Sequence, residues 1–301
     1  MKTNIKHFLD LEQIDEVELR NIIDLSKSFK QGITSGQDTL KSKTLGLIFE
    51  KPSTRTRVSF EIAMYQLGGN VTILEQEKTH LGRGETISDT AKVLSRYIDI
   101  IVYRTSSPEK LYELAKYSDV PVINGLTDKT HPCQLIADIM TFEENIGIIN
   151  EKRIFTWCGD FNNVCRSWVQ AANIFGFQLN LACPKELINI NEMKNINNFK
   201  NIKIYNSAEL ACKNVDCVMT DTWFSMGQKV SEKKKKLLKP FQINNNLLST
   251  TKNKSIFMHC LPAHRGEEIE ENILEHPKSV VLDEAENRLH TQKAILNWCL
   301  K

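Results

Sequence analysis

The sequence predicts an α/β chain folded as two domains, each a parallel sheet flanked by helices. Three observations carry this expectation. Short apolar runs alternate with stretches of helical period, as repeated βα units do. The alternation restarts near residue 150. The length of 301 residues suits two ordinary domains with sizeable cores.

The elements follow in order. "TLGLIFE" (44–50) reads as a buried strand. Phe60, Ala63, Met64 and Leu67 then recur at i, i+3, i+4 and i+7, which predicts a helix, and "GG" (68–69) ends it. "NVTIL" (70–74) predicts a second strand, "DTAKVLSRYI" (89–98) a helix, and "DIIVYRT" (99–105) a third strand with Arg104 at its end. After "HPCQ" (131–134) a helix from about 135 to 144 gives way at "NIGIIN". The restart consists of strand "RIFTWCGD" (153–160), a helix from about Cys165, and strands "FQLNLACP" (177–184), "VDCVMTD" (215–221) and "SIFMHCLP" (255–262). The closing "DEAENRLHTQKAILNWCLK" (283–301) is an amphipathic helix suited to cross back to the first half. The expected division is 1–145, completed by 284–301, against 146–283.

Composition excludes several classes. Lys plus Arg number 39 against 37 Asp plus Glu, so no charge excess favours nucleic acid or a membrane surface. No stretch approaches the roughly 20 apolar residues that span a bilayer, and "MKTNIKHFLD" lacks the pattern of a signal peptide. A cytoplasmic protein is expected. The eight cysteines, at 133, 158, 165, 183, 212, 217, 260 and 299, form no CxxC pair. Neither a disulfide framework nor structural zinc is expected, and most thiols should be buried. "EKKKK" (232–236) reads as a solvated helix face or loop, and "NEMKNINNFKN" (191–201) as surface.

Chemistry concentrates in "FEKPSTRTRVSFE" (49–61), where hydroxyls and guanidinium groups crowd a strand-to-helix junction. A helix N-terminus offers unpartnered N–H groups and the positive end of a dipole. Ser53 or Thr54 would precede the helix. With Thr56, Arg55 and Arg57 they form a cradle for a phosphate dianion, more donors than capping requires. No GxxxxGK[ST] occurs, and "LGRGETI" (81–87) holds only two glycines of GxGxxG. A small phosphorylated molecule fits better than a nucleotide.

"STRTR" (53–57), "HPCQ" (131–134), "DTWFSMG" (221–227) and "HCLPAHRGEE" (259–268) together resemble the ordered signature of ornithine carbamoyltransferases. The first two are shared with aspartate carbamoyltransferases, and the last two are closer to the ornithine branch. The resemblance implies two α/β domains, one per substrate, joined by the helix after "HPCQ" and by the C-terminal helix. It implies transfer of a carbamoyl group from carbamoyl phosphate to the δ-amine of L-ornithine, with no metal and no organic cofactor. It also implies a homotrimer, or a multiple of trimers, with sites at subunit interfaces.

Carried over residue by residue, the resemblance assigns carbamoyl phosphate to Ser53, Thr54, Arg55, Thr56, Arg57 and Arg104, with His80 reaching in from a neighbouring subunit. His131, Pro132, Cys133 and Gln134 would hold the carbamoyl group, joined by Cys260, the Leu261 carbonyl and Arg288. A neutral or protonated His131 would donate to the carbonyl oxygen, while Gln134 would accept from the carbamoyl NH2. Asn163, Asp221, Ser225 and Met226 would bind ornithine, Asp221 through the α-ammonium. Arg55, Arg104, His131, Cys260 and Arg288 are the expected catalytic groups. The δ-amine, with a reference pKa near 10.4, must lose its proton before it attacks, and Cys260 would orient it or help remove that proton.

Two positions depart from the pattern: Phe161 replaces a common Gly, and Cys133 replaces Thr, Ile or Leu. Transfer to aspartate, putrescine or an N-acylated ornithine, a non-catalytic carbamoyl-phosphate sensor, and an RNA-binding protein remain as alternatives.

Overall fold

The computed structural model describes residues 5–51, 53–75, 84–224 and 230–301. The chain divides into two compact units, Met1–Met140 with Glu286–Lys301, and Thr141–Ala285.

The first unit opens with α1 (Glu16–Lys30), capped by Asp15, whose carboxylate accepts from Glu18 N. Then come β1 (Thr44–Phe49), α2 (Thr54–Gln66), β2 (Asn70–Glu75), α3 (Ile87–Leu94), β3 (Ile100–Arg104), α4 (Pro108–Tyr117), β4 (Val122–Leu126) and α5 (Pro132–Asn145). The strands form a parallel sheet in the order β2-β1-β3-β4. Its strands are near-continuous apolar runs because helices cover both faces. α2 stops at the glycine pair as expected, with Gly68 at φ +82, a conformation that a Cβ disfavours.

The second unit contains β5 (Ile154–Cys158), α6 (Asn163–Phe175), β6 (Gln178–Ala182), α7 (Ile190–Ile196), β7 (Ile202–Tyr205), α8 (Ala208–Cys212), β8 (Cys217–Thr220), α9 (Glu232–Leu238), α10 (Asn245–Ser249) and β9 (Ile256–His259). Its sheet is also parallel, in the order β7-β6-β5-β8-β9. Phe155 anchors this core, with ring centroids 4.4 Å from Phe142, 4.5 Å from Phe177 and 5.3 Å from Trp168. The last helix, α11 (Val281–Leu300), and α5 both contain the point where the chain passes from one unit to the other.

The α/β expectation holds, with shifted edges. α5 begins at Pro132 rather than near 135, because a proline at the first helical position has its φ pre-set. α3 ends at Leu94 rather than at 98, and the Ser95 hydroxyl bonds back to Ala91 O. "EKKKK" lies in α9, but it is more than a solvated face. Lys234 Nζ pairs with Asp160 at 2.7 Å and Lys235 Nζ with Glu267 at 2.7 Å. All eight cysteines are free, and all but Cys260 are buried. Among the described residues, no helix is long and apolar enough to cross a membrane.

Both sheets reverse strand order at one point, between β1 and β3 in the first and between β5 and β8 in the second. In open parallel sheets, the crevice at the carboxyl ends of such strands is where ligands bind. Of the described residues singled out in the sequence, Ser53 and Arg104 lie at the first of these places and Asp221 and Cys260 at the second.

Candidate active site

In the first unit, register places Phe49, the last residue of β1, opposite Arg104, the last of β3. The chain leaving β1 enters α2 at once, so its first turn faces the Arg104 side chain. Arg104 Nη1 donates to Ser53 Oγ at 3.0 Å and to Thr56 Oγ1 at 3.1 Å. Ser53 is the N-cap residue of α2, yet its hydroxyl makes no capping hydrogen bond, in contrast to Asp15, Thr86, Ser107 and Asn162 on other helices. The hydroxyl orients a guanidinium instead, and the first turn of α2 carries no acidic side chain. That combination suits an anion.

Arg288, on α11, approaches from the other side. Its Nη2 donates to Thr56 Oγ1 at 3.3 Å and its Nη1 to Gln134 Oε1, while Gln134 Nε2 donates to Asp138 Oδ1 at 2.7 Å. Two guanidinium groups thus share one buried hydroxyl. His131 sits beside them, 4 % exposed. Burial, and then the charges of Arg288 and Arg104, hold its pKa well below 6.5. That direction favours the neutral imidazole, one of the two protonation states the sequence left open. A neutral ring keeps one N–H donor.

Glu50 braces the junction. Its carboxylate accepts from Tyr103 Oη and Lys110 Nζ, each at 2.8 Å, and from Thr105 Oγ1 at 2.5 Å. Burial pushes its pKa up, but the Lys110, Thr105 and Tyr103 hydrogen bonds outweigh that and hold it below the usual range.

The expected residues are not all gathered here. Thr54 and Arg55 are exposed on the first turn of α2. Arg57 lies 3.5 Å from Glu75 at the end of β2. Pro132 starts α5, and the buried Cys133 thiol donates to Asn124 O at 3.3 Å. His80, Ser225 and Met226 lie outside the described residues.

The second unit repeats the logic at its own switch point. β5 runs into Gly159, at φ +120, and then to Asn162, which caps α6 by accepting from Val164 N and Cys165 N. Asn162 Nδ2 also donates to Asp221 Oδ2 at 2.7 Å, immediately after β8. Thr222 N donates to Asp221 Oδ1 at 2.7 Å, and Cys260 Sγ to the same oxygen at 3.1 Å. The last contact follows from register, since β8 pairs with β9 through Thr220 and His259 and so sets Asp221 beside Cys260. The side chain brought to Asp221 is that of Asn162. Asn163 is the buried first residue of α6, with its Oδ1 on Val164 N at 3.1 Å. The departure at Phe161 is accommodated: the ring is 4 % exposed and stacks 5.1 Å from the Arg166 guanidinium.

Three residues that sequence reasoning missed support the turn after β9. His259 Nδ1 accepts from Leu261 N at 2.9 Å, which leaves Nε2 to carry the proton and donate to Glu268 Oε1 at 3.2 Å. Glu284 Oε2 accepts from His259 N at 2.8 Å. Leu261 is held at φ +54, which is rare for a branched side chain. A strand-end His followed by a buried Glu within one motif was the available signal.

Comparisons with known proteins agree along the whole chain. The family profile described as "Aspartate/ornithine carbamoyltransferase, carbamoyl-P binding domain" matches residues 6–144, and the one described as "Aspartate/ornithine carbamoyltransferase, Asp/Orn binding domain" matches 151–299. An ornithine carbamoyltransferase of Nitrobacter winogradskyi is 51 % identical over 300 residues, covering 98 % of this chain and 97 % of that protein. The solved ornithine carbamoyltransferase from Pyrococcus furiosus superposes with a TM-score of 0.90 at 43 % identity, covering 97 % of this chain and 96 % of that one. The anabolic ornithine carbamoyltransferase from Campylobacter jejuni gives 0.89 at 36 % identity, covering 98 % and 99 %. The chain belongs to the aspartate/ornithine carbamoyltransferase family.

Proposed function

We propose that this protein transfers the carbamoyl group of carbamoyl phosphate to the δ-amine of L-ornithine, giving L-citrulline and phosphate. The observation that carries this reading is the state of Asp221. It receives Asn162, Thr222 and Cys260 as hydrogen-bond donors, but no cation pairs with it among the described residues. A carboxylate in that state suits the α-ammonium of an amino acid. The second carboxylate of aspartate would call for a cation, whereas the thiol beside Asp221 suits an amine.

The domain roles follow: the first unit binds carbamoyl phosphate and the second binds ornithine. Arg55, Arg104, Ser53 and the α2 N-terminus hold the phosphate. His131, as a neutral donor, and Arg288 stabilise the carbonyl oxygen as it gains charge, and Gln134, fixed by Asp138, reads the carbamoyl group. Attack by the neutral δ-amine forms the C–N bond, the C–O bond to phosphate breaks, and the proton lost from nitrogen leaves on hydrogenphosphate. Holding both reactants in register supplies about 7–11 kcal/mol of the barrier reduction, and each aimed oxyanion donor about 3–4 kcal/mol. Cys260, tied to Asp221, orients the amine.

The reading extends to a step of arginine biosynthesis in the cytoplasm, which the free thiols suit, and to a homotrimer. Sedimentation velocity tests the assembly. Parallel assays of citrulline, carbamoyl-aspartate and carbamoyl-putrescine formation test the reaction. Citrulline should dominate by orders of magnitude, and a larger rate with aspartate or putrescine would overturn the assignment.

A further inference from the structure

Glu268 is fully buried in the second unit, and only one of its carboxylate oxygens is satisfied. Oε1 accepts from His259 Nε2 at 3.2 Å and from His264 N at 2.5 Å. Oε2 has no hydrogen-bond partner among the described residues. A buried carboxylate oxygen without a donor is costly and calls for an explanation. The nearest candidate is the His264 ring, with Nδ1 4.0 Å away. Glu267 Oε2 stands 4.0 Å from the same nitrogen. At that distance neither carboxylate is hydrogen-bonded to the ring, so a protonated imidazole clamped between them is not what the geometry shows.

The geometry points to a divalent first-row metal site formed by His264 Nδ1, Glu267 Oε2 and Glu268 Oε2. One ligand atom from each of these three residues lies within 4.8 Å of the other two. One imidazole and two carboxylates form a donor set suited to Zn²⁺ or Co²⁺. With ligand distances of about 2.0–2.2 Å, tetrahedral donors stand about 3.4 Å apart, so closing the 4.0 Å separations needs shifts of about 0.6 Å, which the half-exposed His264 ring can supply. Glu268 is the fixed point. His264, half exposed, provides the entry path and leaves room for water ligands. Lys235 holds Glu267 through Oε1 at 2.7 Å, which leaves Oε2 available while opposing a cation nearby.

The ion would also reach the turn that bears Cys260. Glu268 Oε1 fixes His259, and His259 Nδ1 fixes Leu261 N, so a metal on Oε2 would lock that chain. The site stands on its own geometry and does not depend on the reaction proposed above.

A second His/Cys/Asp group, Asp221, His259 and Cys260, could compete for metal, so the test uses full-length protein carrying Cys260→Ser as its background. Equilibrium dialysis against CoCl2, with visible spectra, should show one bound ion in that background, with the d–d bands of nitrogen- and oxygen-ligated Co²⁺ and no thiolate charge-transfer absorption. Adding His264→Ala should weaken binding at least about tenfold. Adding Lys235→Gln should tighten it about twofold to fivefold. Co²⁺ should raise the Tm of Cys260→Ser but not of Cys260→Ser/His264→Ala. Loss of all binding with Cys260→Ser alone, or equal affinity with and without His264, would overturn the site.

Discussion

Replacing Thr56 by valine keeps the side-chain shape and removes one oxygen. That oxygen accepts from Arg104 Nη1 at 3.1 Å and from Arg288 Nη2 at 3.3 Å, in a residue only 2 % exposed. A hydrogen bond from a charged donor contributes about 1.5–3 kcal/mol, so the two together represent about 3–6 kcal/mol. Each guanidinium keeps another acceptor, Ser53 Oγ for Arg104 and Gln134 Oε1 for Arg288, so the whole amount is not lost. If about half is lost as misdirected charge in the transition state, about 1.5–3 kcal/mol, then kcat/KM for carbamoyl phosphate falls about 13- to 160-fold. The assay is citrulline formation at saturating ornithine with carbamoyl phosphate varied, alongside thermal unfolding to establish that the variant is folded. The ornithine KM should stay within about twofold, because Thr56 belongs to the unit assigned to carbamoyl phosphate. A folded variant with kcat/KM within about threefold of wild type, or with its loss confined to ornithine, would refute the shared-hydroxyl argument.

Arg55→Ala should reduce turnover about 10²- to 10³-fold, whereas Arg57→Ala, which breaks a half-exposed pair with Glu75, should change stability by no more than about 1 kcal/mol and activity far less than Arg55→Ala does; steady-state rates with melting curves separate the two. Asp221→Asn keeps a side chain for Asn162 to meet but removes the charge, and should cost about 2–4 kcal/mol in kcat/KM for ornithine while carbamoyl-phosphate binding by calorimetry is unchanged. Because burial and two arginines lower the His131 pKa in the folded state, the unfolded chain takes up that proton first as the pH falls. The His131 contribution to stability is therefore complete above about pH 6.5 and is lost below it, and His131→Gln should flatten urea-unfolding stability between about pH 6.5 and 5. Lys234→Met leaves the Asp160 carboxylate, whose pKa burial already raises, without its cation. The variant should lose about 1–3 kcal/mol at neutral pH and less in acid, where Asp160 is protonated, and adding Asp160→Asn should restore most of it.

Fold class was legible because its signal is periodic and repeated. Apolar runs of strand length recur between helical patterns, and the runs read as strands in the sequence appear as β1, β2, β3, β5, β6, β8 and β9. β4 and β7 gave weaker signals. β4, "VINGL", carries a polar residue and a glycine, and β7, "IKIY", has only four residues. The crowding of donors in "STRTR" was legible as well, and the structure sets Ser53 and Thr56 of that run against Arg104. What the pattern could not resolve was which of two neighbours does the work. "FNN" offers two asparagines, and only with α6 known to begin at Asn163 is it visible that Asn162 caps the helix and meets Asp221. "EKKKK" looks alike at each lysine, yet Lys234 and Lys235 are each drawn to a particular carboxylate. His259 was passed over for another reason: its motif also holds Glu268, but that the two meet, and that Glu284 reaches His259 from the last helix, shows only in the fold.

The deeper limit is strand order. Ser53 and Arg104 are 51 residues apart, and nothing in either local pattern says that β3 lies next to β1. Adjacent strands are spaced about 4.8 Å apart. Had β3 been placed outside β2, the Arg104 backbone would sit about 5 Å farther from the α2 N-terminus, and a 3.0 Å bond to Ser53 could no longer coexist with one to Thr56. The same holds for Asp221 and Cys260, which meet only because β8 and β9 are neighbours in register. The reversal of strand order thus turns dispersed motifs into two concentrated sets of donors and acceptors. Motif spacing can suggest an anion cradle and an amino-acid clamp, but the sheet decides which guanidinium and which thiol stand beside the proposed groups.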